Sequence, residues 1–264
     1  MEKLQVLLAT MGRKDFSIAD TMNISCSAVI ANQADHESIE TKDALKMITT
    51  ETRGVGLNRN IGLMAATSEL VLFADDDVVY YDGMPEAVVS AFRENPDADV
   101  LIFGMDIVKN GVITEKRHLK RKRRYLWNSL RFGTYTIAAR REALLQHHIT
   151  FHQCFGGGCI YGSGEDSLFL KDCFDHKLRV YSHEYVLGTC CKDASSWFTG
   201  HNEKYFYDKG ALMRYLFPNN PWLMALYFGI RFKRESPLGP VQRVKWMFAG
   251  VRGGRKLIPY KEIA

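Results

Sequence analysis

The sequence is poor in several features that define whole classes of protein. Only 7 of its 264 residues are proline, while 46% are hydrophobic and 12% aromatic, which excludes a disordered, collagen-like or low-complexity chain. No stretch reaches the ~18 consecutive apolar residues of a membrane-spanning helix. The longest candidate, Trp222 to Ile230, is about half that length. The opening residues MEKLQVLLATMGRKD have no basic segment leading into a long apolar run and a small-residue cleavage site, so no signal peptide is expected. Six cysteines (Cys26, Cys154, Cys159, Cys173, Cys190, Cys191) are scattered without a CxxC pair, a spacing that suits neither a disulfide scaffold nor a structural zinc site. These absences predict a cytoplasmic protein with reduced thiols. Charge of one sign is lacking too: 35 basic against 30 acidic residues leave +5, too mild for a nucleic-acid binder, and no nucleic-acid partner is expected.

What is present is an alternation of apolar runs and helical stretches. Residues 4–10 (LQVLLAT) and 27–33 (SAVIANQ) read as strands with a crossover between them. A third run, Glu69 to Tyr81, follows a helix predicted over Asn58 to Thr67. A fourth, Asp99 to Val108, follows a helix from Pro85 to Glu94. This order predicts an α/β fold built on a mainly parallel sheet, long enough for one large domain or for a core with an appendage. In such sheets the ligand crevice lies beyond the carboxyl ends of the strands, where Thr10 to Arg13, Asn32 to Asp35 and Asp75 to Asp77 fall. Further strands are expected over Tyr135 to Ala139 and Leu178 to Leu187, with a helix from about Glu165 to Phe174.

Three adjacent carboxylates directly after an apolar strand repel one another and gain nothing structurally, so a cation is the simplest reason for Asp75-Asp76-Asp77. Because successive strand residues alternate faces, Asp75 and Asp77 can point the same way, with Asp76 opposite, and offer hard oxygens to Mg²⁺ or Mn²⁺ alongside a diphosphate. A solvated acidic turn is the plainer alternative. The second cluster is Gly162-Ser163-Gly164-Glu165-Asp166, running into SLFLKDCF. Its polar residues can cap the following helix, or Glu165 or Asp166 can act as general base for an attacking hydroxyl.

Taken in order, Thr10 and Arg13 after the first strand, Asp35 after the second, RGVGLNRNIGL (Arg53 to Leu63), the Asp75-x-Asp77 pattern after LVLFA and the later GEDSLFL resemble family 2 glycosyltransferases of the GT-A fold. The resemblance covers roughly residues 4 to 210, and its last part, including SSWFTGHNEKYFYDKGA, looks like a bacterial branch that assembles capsular or exopolysaccharide chains. It implies a mainly parallel mixed sheet flanked by helices over residues 1–217, with a basic, aromatic-rich helical appendage over 218–264. It further implies inverting transfer of a sugar from a nucleoside-diphosphate donor, most often a UDP-sugar, to a hydroxyl of a glycan or lipid-linked acceptor. Carried over by residue, Thr10 and Arg13 line the nucleotide pocket, Asp35 contacts the base and Arg59 helps to hold the nucleotide. Asp75 faces the ribose and diphosphate side of the metal site, Asp76 belongs to the nucleotide-binding set, and Asp75 and Asp77 hold Mn²⁺ or Mg²⁺. Asp166 is the catalytic base, with Glu165 beside it. Many relatives carry a histidine near the metal after the late strand, where this chain reads GTCCKD; Cys190, Cys191, Lys192 or the later His201 could take its place.

Other signals are weaker. His147, His148, His152, Cys154 and Cys159 match no common zinc spacing, and the Gly54-x-Gly56 and Gly156 to Gly158 segments lack a complete dinucleotide or phosphate-loop motif. The basic stretch 116–124 reads as a solvated loop or a handle for an anionic acceptor. The region 218–256 mixes Trp222, Leu223, Tyr227, Phe228, Trp246, Met247 and Phe248 with Lys and Arg, as a membrane-surface segment requires, although core packing or a subunit contact would use the same residues. Two further functions stay open: nucleotidyl transfer onto a sugar phosphate, and an inactive glycan- or membrane-binding scaffold of the same fold. Composition leaves the oligomeric state undetermined.

Overall fold

The structure is a computed structural model that describes residues 3–192, 200–232 and 234–263. The segment Ser195 to Thr199 of the SSWFTGHNEKYFYDKGA stretch lies outside the described residues. In chain order the elements are β1 (Leu4–Met11), α1 (Ser17–Thr21), β2 (Ser27–Gln33), β3 (Ser38–Lys42), β4 (Leu45–Thr50), α2 (Val55–Ala65), β5 (Leu70–Asp75), β6 (Val78–Tyr80), α3 (Met84–Glu94), β7 (Val100–Lys109), β8 (Val112–Arg117), β9 (Lys122–Arg123), β10 (Ile137–Arg140), α4 (Arg141–Gln146), α5 (Glu165–Asp175), β11 (Val180–Cys191), α6 (Glu203–Leu216), α7 (Pro221–Arg231) and α8 (Pro240–Gly254).

Two compact units emerge. The first comprises Met1–Arg53, Leu57–Phe151 and Phe169–Ala194, and the second Gly54–Gly56, His152–Leu168 and Ser195–Ala264. The compositional break at residue 217 therefore does not coincide with the structural one, because α6 packs with α7 and α8.

The first unit holds a single mixed sheet in the order β3-β4-β2-β1-β5-β10-β7-β11-β6, with β8 paired to β7 and β9 to β11. Its centre is parallel (β4, β2, β1 and β5), as the continuous apolar runs require: strands covered on both faces bury every side chain. Alternate residues feed two cores. Val6, Leu8, Leu72 and Phe103 lie on one face, and Leu7, Val71, Phe73 and Ile102 on the other. On the second face Phe73 meets Phe151 and Phe169 edge-on at ring separations of 5.1 and 5.4 Å, and those two rings stack at 4.4 Å. The helix α3 follows Gly83, whose φ of 76° needs a glycine, and buries Met84, Val88, Ala91 and Phe92 at helical spacing.

Two sequence expectations change. Glu69 to Tyr81 is not one strand: β5 ends at Asp75, Asp76 and Asp77 form a turn, and β6 pairs with β11 at the far edge of the sheet. The basic stretch 116–124 is not a plain loop, since it contributes to β8 and forms β9, and Arg124 is buried with its guanidinium 5.1 Å from the Phe132 ring. The hairpin of β3 and β4 was not anticipated; β3 is almost wholly exposed and carries no apolar alternation to betray it.

In the second unit α6, α7 and α8 pack together through glycines. A Cβ on Gly250 would meet the Tyr207 carbonyl oxygen at 1.9 Å, and one on Gly210 the Met247 carbonyl oxygen at 2.0 Å, so these helices touch backbone to backbone.

Candidate functional site

At the carboxyl end of β1 the chain turns sharply through Gly12, in the left-handed region at φ 68°. The turn is fastened to β2: the Gly12 amide donates to the Gln33 carbonyl, the Arg13 amide to Asn32 Oδ1, and Asn32 Nδ2 donates back to the Arg13 carbonyl. A second buried amide, Asn58 on α2, donates to the carbonyls of Thr10 and Ala31 at 3.0 and 2.9 Å, locking the helix to the ends of β1 and β2. Sequence reading placed Asn32 at a polar strand end and Asn58 at a helix start but gave neither amide a role, although buried amides at strand ends are the usual fasteners of a polar rim.

The three carboxylates after β5 are held differently. Asp75 is paired with the buried Arg59 at 2.6 Å, and that guanidinium also lies 5.4 Å from the Phe151 ring. Asp76 accepts from the Thr10 hydroxyl at 2.6 Å and from Arg13 at 2.9 Å, while Arg13 Nε donates to Thr10 Oγ1. The Asp77 carbonyl accepts from the Cys191 amide at 2.8 Å, but among the described residues its carboxylate accepts only a long contact from the Cys190 thiol, 3.5 Å at Oδ2, and its Oδ1 is buried with no hydrogen-bond partner. The alternation argument therefore does not apply, because the strand stops at Asp75. What separates the carboxylates is that Arg59 and Arg13 neutralise the first two and the third keeps an unsatisfied oxygen.

Burial, and then the Asp75 charge, push the Asp77 carboxyl above the usual carboxylate range, with Lys192 and the Cys190 thiol opposing. Burial and the Asp77 charge push the Cys190 thiol up to about 12, so it stays protonated and acts as a donor. Cys191 is exposed, the Lys192 ammonium sits 5.0 Å from the Tyr135 ring, and His201, in the second unit, pairs through Nδ1 with the Glu235 carbonyl. Asp35 lies on the open surface beyond β2, beside His36 at 3.2 Å; that hydrogen bond holds its carboxyl below the usual range.

The structure thus brings Thr10, Arg13, Arg59, Asp75, Asp76 and Asp77 together at the carboxyl ends of β1 and β5, with Asp35 on a neighbouring loop. Glu165 and Asp166 belong to the second unit and form a cluster of their own in the first turn of α5, where the helix dipole favours negative charge. Glu165 Oε2 accepts from the Gly164 amide, and Gly164 itself adopts φ 124°. Lys209 on α6 donates to Ser163 Oγ at 3.1 Å; burial lowers its pKa, while Glu165 and Asp166 hold it up. The adjacent Asp208 accepts from the Gly162 amide at 2.9 Å, so α6 grips the loop that leads into the acidic pair. A further acid that the sequence did not single out, Asp106 on β7, is buried and binds the Tyr81 hydroxyl and His118 Nε2, each at 3.1 Å.

Among the described residues no three or more His, Cys, Asp and Glu side chains could hold a metal ion by themselves. The unpartnered, buried Asp77 oxygen next to a second carboxylate nonetheless suits a hard divalent cation that takes its remaining oxygens from a diphosphate and water. The His147, His148, His152, Cys154 and Cys159 set forms no such centre.

The mixed sheet flanked by helices, with a carboxylate turn at the end of β5, is a GT-A fold. Comparison with known proteins agrees: residues 27–155, just under half of the chain, match the family model described as glycosyl transferase family 2. Solved structures show the same fold over nearly the whole chain. A complex of S. aureus TarS residues 1–349 with UDP-GlcNAc superposes with a TM-score of 0.57 at 16% identity, covering 99% of this chain and 77% of that one. The same fragment with UDP gives 0.55 at 16% identity, with the same coverage. A longer S. aureus TarS structure gives 0.56 at 17% identity, covering 98% of this chain and 44% of that one. No curated protein matches the chain.

Proposed function

We propose that the protein transfers a sugar, with inversion, from a UDP-sugar to a hydroxyl of a glycan or lipid-linked acceptor in bacterial surface-polysaccharide synthesis. The observation that carries this reading is the Asp75–Asp77 turn, where two carboxylates are neutralised by internal arginines and the third presents a buried oxygen without a partner. Support comes from the family 2 match over 27–155 and from the likeness of fold to structures bound to UDP-GlcNAc and UDP.

In this reading Asp77 and Asp75 hold a divalent cation, Mn²⁺ or Mg²⁺, and Thr10, Arg13 and Asp35 line the nucleotide side. The bound cation supplies positive charge to the departing diphosphate. Arg59 aims the Asp75 carboxylate, and Arg13 does the same for Asp76. Asp166 takes the proton of the acceptor hydroxyl as its oxygen bonds to the anomeric carbon and the bond to the diphosphate oxygen breaks; one displacement gives inversion. Helix α6 positions that base through Asp208 and Lys209.

The test is thermal unfolding of the purified chain with UDP, GDP and CDP, each with and without Mn²⁺, followed by hydrolysis of UDP-sugars. Stabilisation by UDP that requires Mn²⁺ is the expected result. Stabilisation by UDP without any metal effect removes the cation from the proposal, and no response to any nucleotide favours the inactive-scaffold alternative.

A further inference from the structure

We propose that α7 is a membrane-surface anchor that lies in the plane of an anionic lipid interface, independently of whether the chain transfers sugar. Helix α7 is built the wrong way round for a water-facing helix. Its buried positions are the small residues Pro221, Ala225 and Gly229 at spacings of four, and a Cβ on Gly229 would meet Val244 of α8 at 2.8 Å. Most of its large apolar side chains are turned outward: Leu223 is 62% exposed, Tyr227 57%, Ile230 54%, Leu226 38% and Trp222, whose ring meets Phe248 of α8 edge-on, 41%, while Met224 and Phe228 are half-buried. A helix at a protein–water boundary places such residues inward and charges outward. Here no charge occurs between Pro221 and Ile230. Contiguous exposed apolar surface of this kind marks an interaction face.

Two features select lipid as the occupant. First, both ends of the stripe carry a cation against an aromatic ring: Arg252 is 5.8 Å from the Trp222 ring and Arg231 5.9 Å from the Tyr227 ring. Aromatic side chains at the headgroup level with cations beside them are the chemistry of an interfacial helix. Second, the surrounding charge has one sign. Residues 218–256 contain eight Lys or Arg and a single acid, Glu235, and Arg231, Arg234, Lys245, Arg252, Arg255 and Lys256 are exposed. Stable attachment without a spanning segment needs an apolar insertion together with a basic patch, and α7 with its flanks supplies both. At 11 residues the helix is about 16 Å long, too short to cross a bilayer and long enough to lie along one.

The experiment is co-sedimentation of the full chain with phosphatidylcholine vesicles with and without phosphatidylglycerol, at low and high salt. Binding is expected to the anionic vesicles and to weaken with salt. The double variant Leu223→Gln, Ile230→Gln should lose roughly tenfold or more in partitioning. Both positions are exposed and glutamine is a good helix former, so the fold should be kept, which far-UV circular dichroism verifies. The pair Arg231→Gln, Arg252→Gln should lose the preference for anionic lipid. Absence of binding by the unaltered chain, or undiminished binding by the Leu223/Ile230 variant, overturns the proposal. So does a concentration-dependent dimer in light scattering that the same variant abolishes while vesicles bind neither protein, since the stripe would then belong to a second copy. The UDP-dependent thermal response is measured separately and does not enter any of these outcomes.

Discussion

Asp77→Asn is the substitution that most directly tests the geometry of the carboxylate turn. The Asp77 Oδ1 atom is buried without a partner and faces repulsion from Asp75. An unsatisfied buried group costs about 1–3 kcal/mol. An amide at this position still buries a polar group but removes the charge, keeps an acceptor for the Cys190 thiol and gains donors toward Asp75. The metal-free variant should therefore be more stable by about 1 kcal/mol, or roughly 2–4 °C in Tm for a chain of this size. The sign with pH follows from the raised carboxyl. Below the ordinary carboxylate range Asp77 is protonated in both the folded and the unfolded state, and the two proteins should differ least there. As pH rises from the ordinary carboxylate range through the raised value, the unfolded wild type loses the proton first, so wild-type stability falls and the variant's advantage grows to a plateau. With Mn²⁺ and UDP the order should reverse: ligand at about 100 times Kd stabilises wild type by ~2.7 kcal/mol, and the variant should gain almost nothing. Scanning calorimetry from acid to neutral pH, with and without Mn²⁺ and UDP, measures both effects. A variant that is less stable without metal, or that keeps the full Mn²⁺-dependent response, refutes the argument.

Other substitutions probe separate links in the same chain. Asp166→Asn should retain the UDP-dependent thermal response and lower transfer by roughly 10²- to 10⁴-fold, as removal of a general base does; retained transfer in a radiolabelled-sugar assay eliminates Asp166 from that role. Arg59→Gln removes a guanidinium that is 4% exposed and leaves the 30% exposed Asp75 side chain without its partner. The expected loss, discounted for that exposure, is about 2–4 kcal/mol in urea unfolding. Phe73→Ala opens a hole beside the stacked Phe151 and Phe169 rings and should cost about 3–5 kcal/mol by the same measurement. Gly250→Ala would force a methyl onto the Tyr207 carbonyl, so α6 and α8 must separate; a lowered Tm is expected and an unchanged one contradicts the backbone contact.

The sequence by itself determined the parallel centre of the sheet, because strands buried on both faces must be continuous apolar runs, and β1 and β2 are found where LQVLLAT and SAVIANQ lie. It also singled out the acids after LVLFA as a chemical cluster, since three adjacent carboxylates repel one another and gain nothing structurally. Helix α5 beginning at Glu165 was legible from its glycine loop and acidic first turn. Tertiary structure decided the rest. Only the separate pairing of β5 with β1 and of β6 with β11 breaks the run Glu69 to Tyr81 at the acids, and periodicity cannot report a change of partner strand. Only three-dimensional packing assigns Arg59 to Asp75, Arg13 to Asp76 and a buried thiol to Asp77, across separations of up to 113 residues. The orientation of α7 was settled in the same way. Its composition suits core, partner or membrane equally, and the packing of Ala225 and Gly229, rather than the large residues, against its neighbours turns the apolar face outward. Local pattern fixes which residues form an element; which face that element buries depends on neighbours far away in the chain.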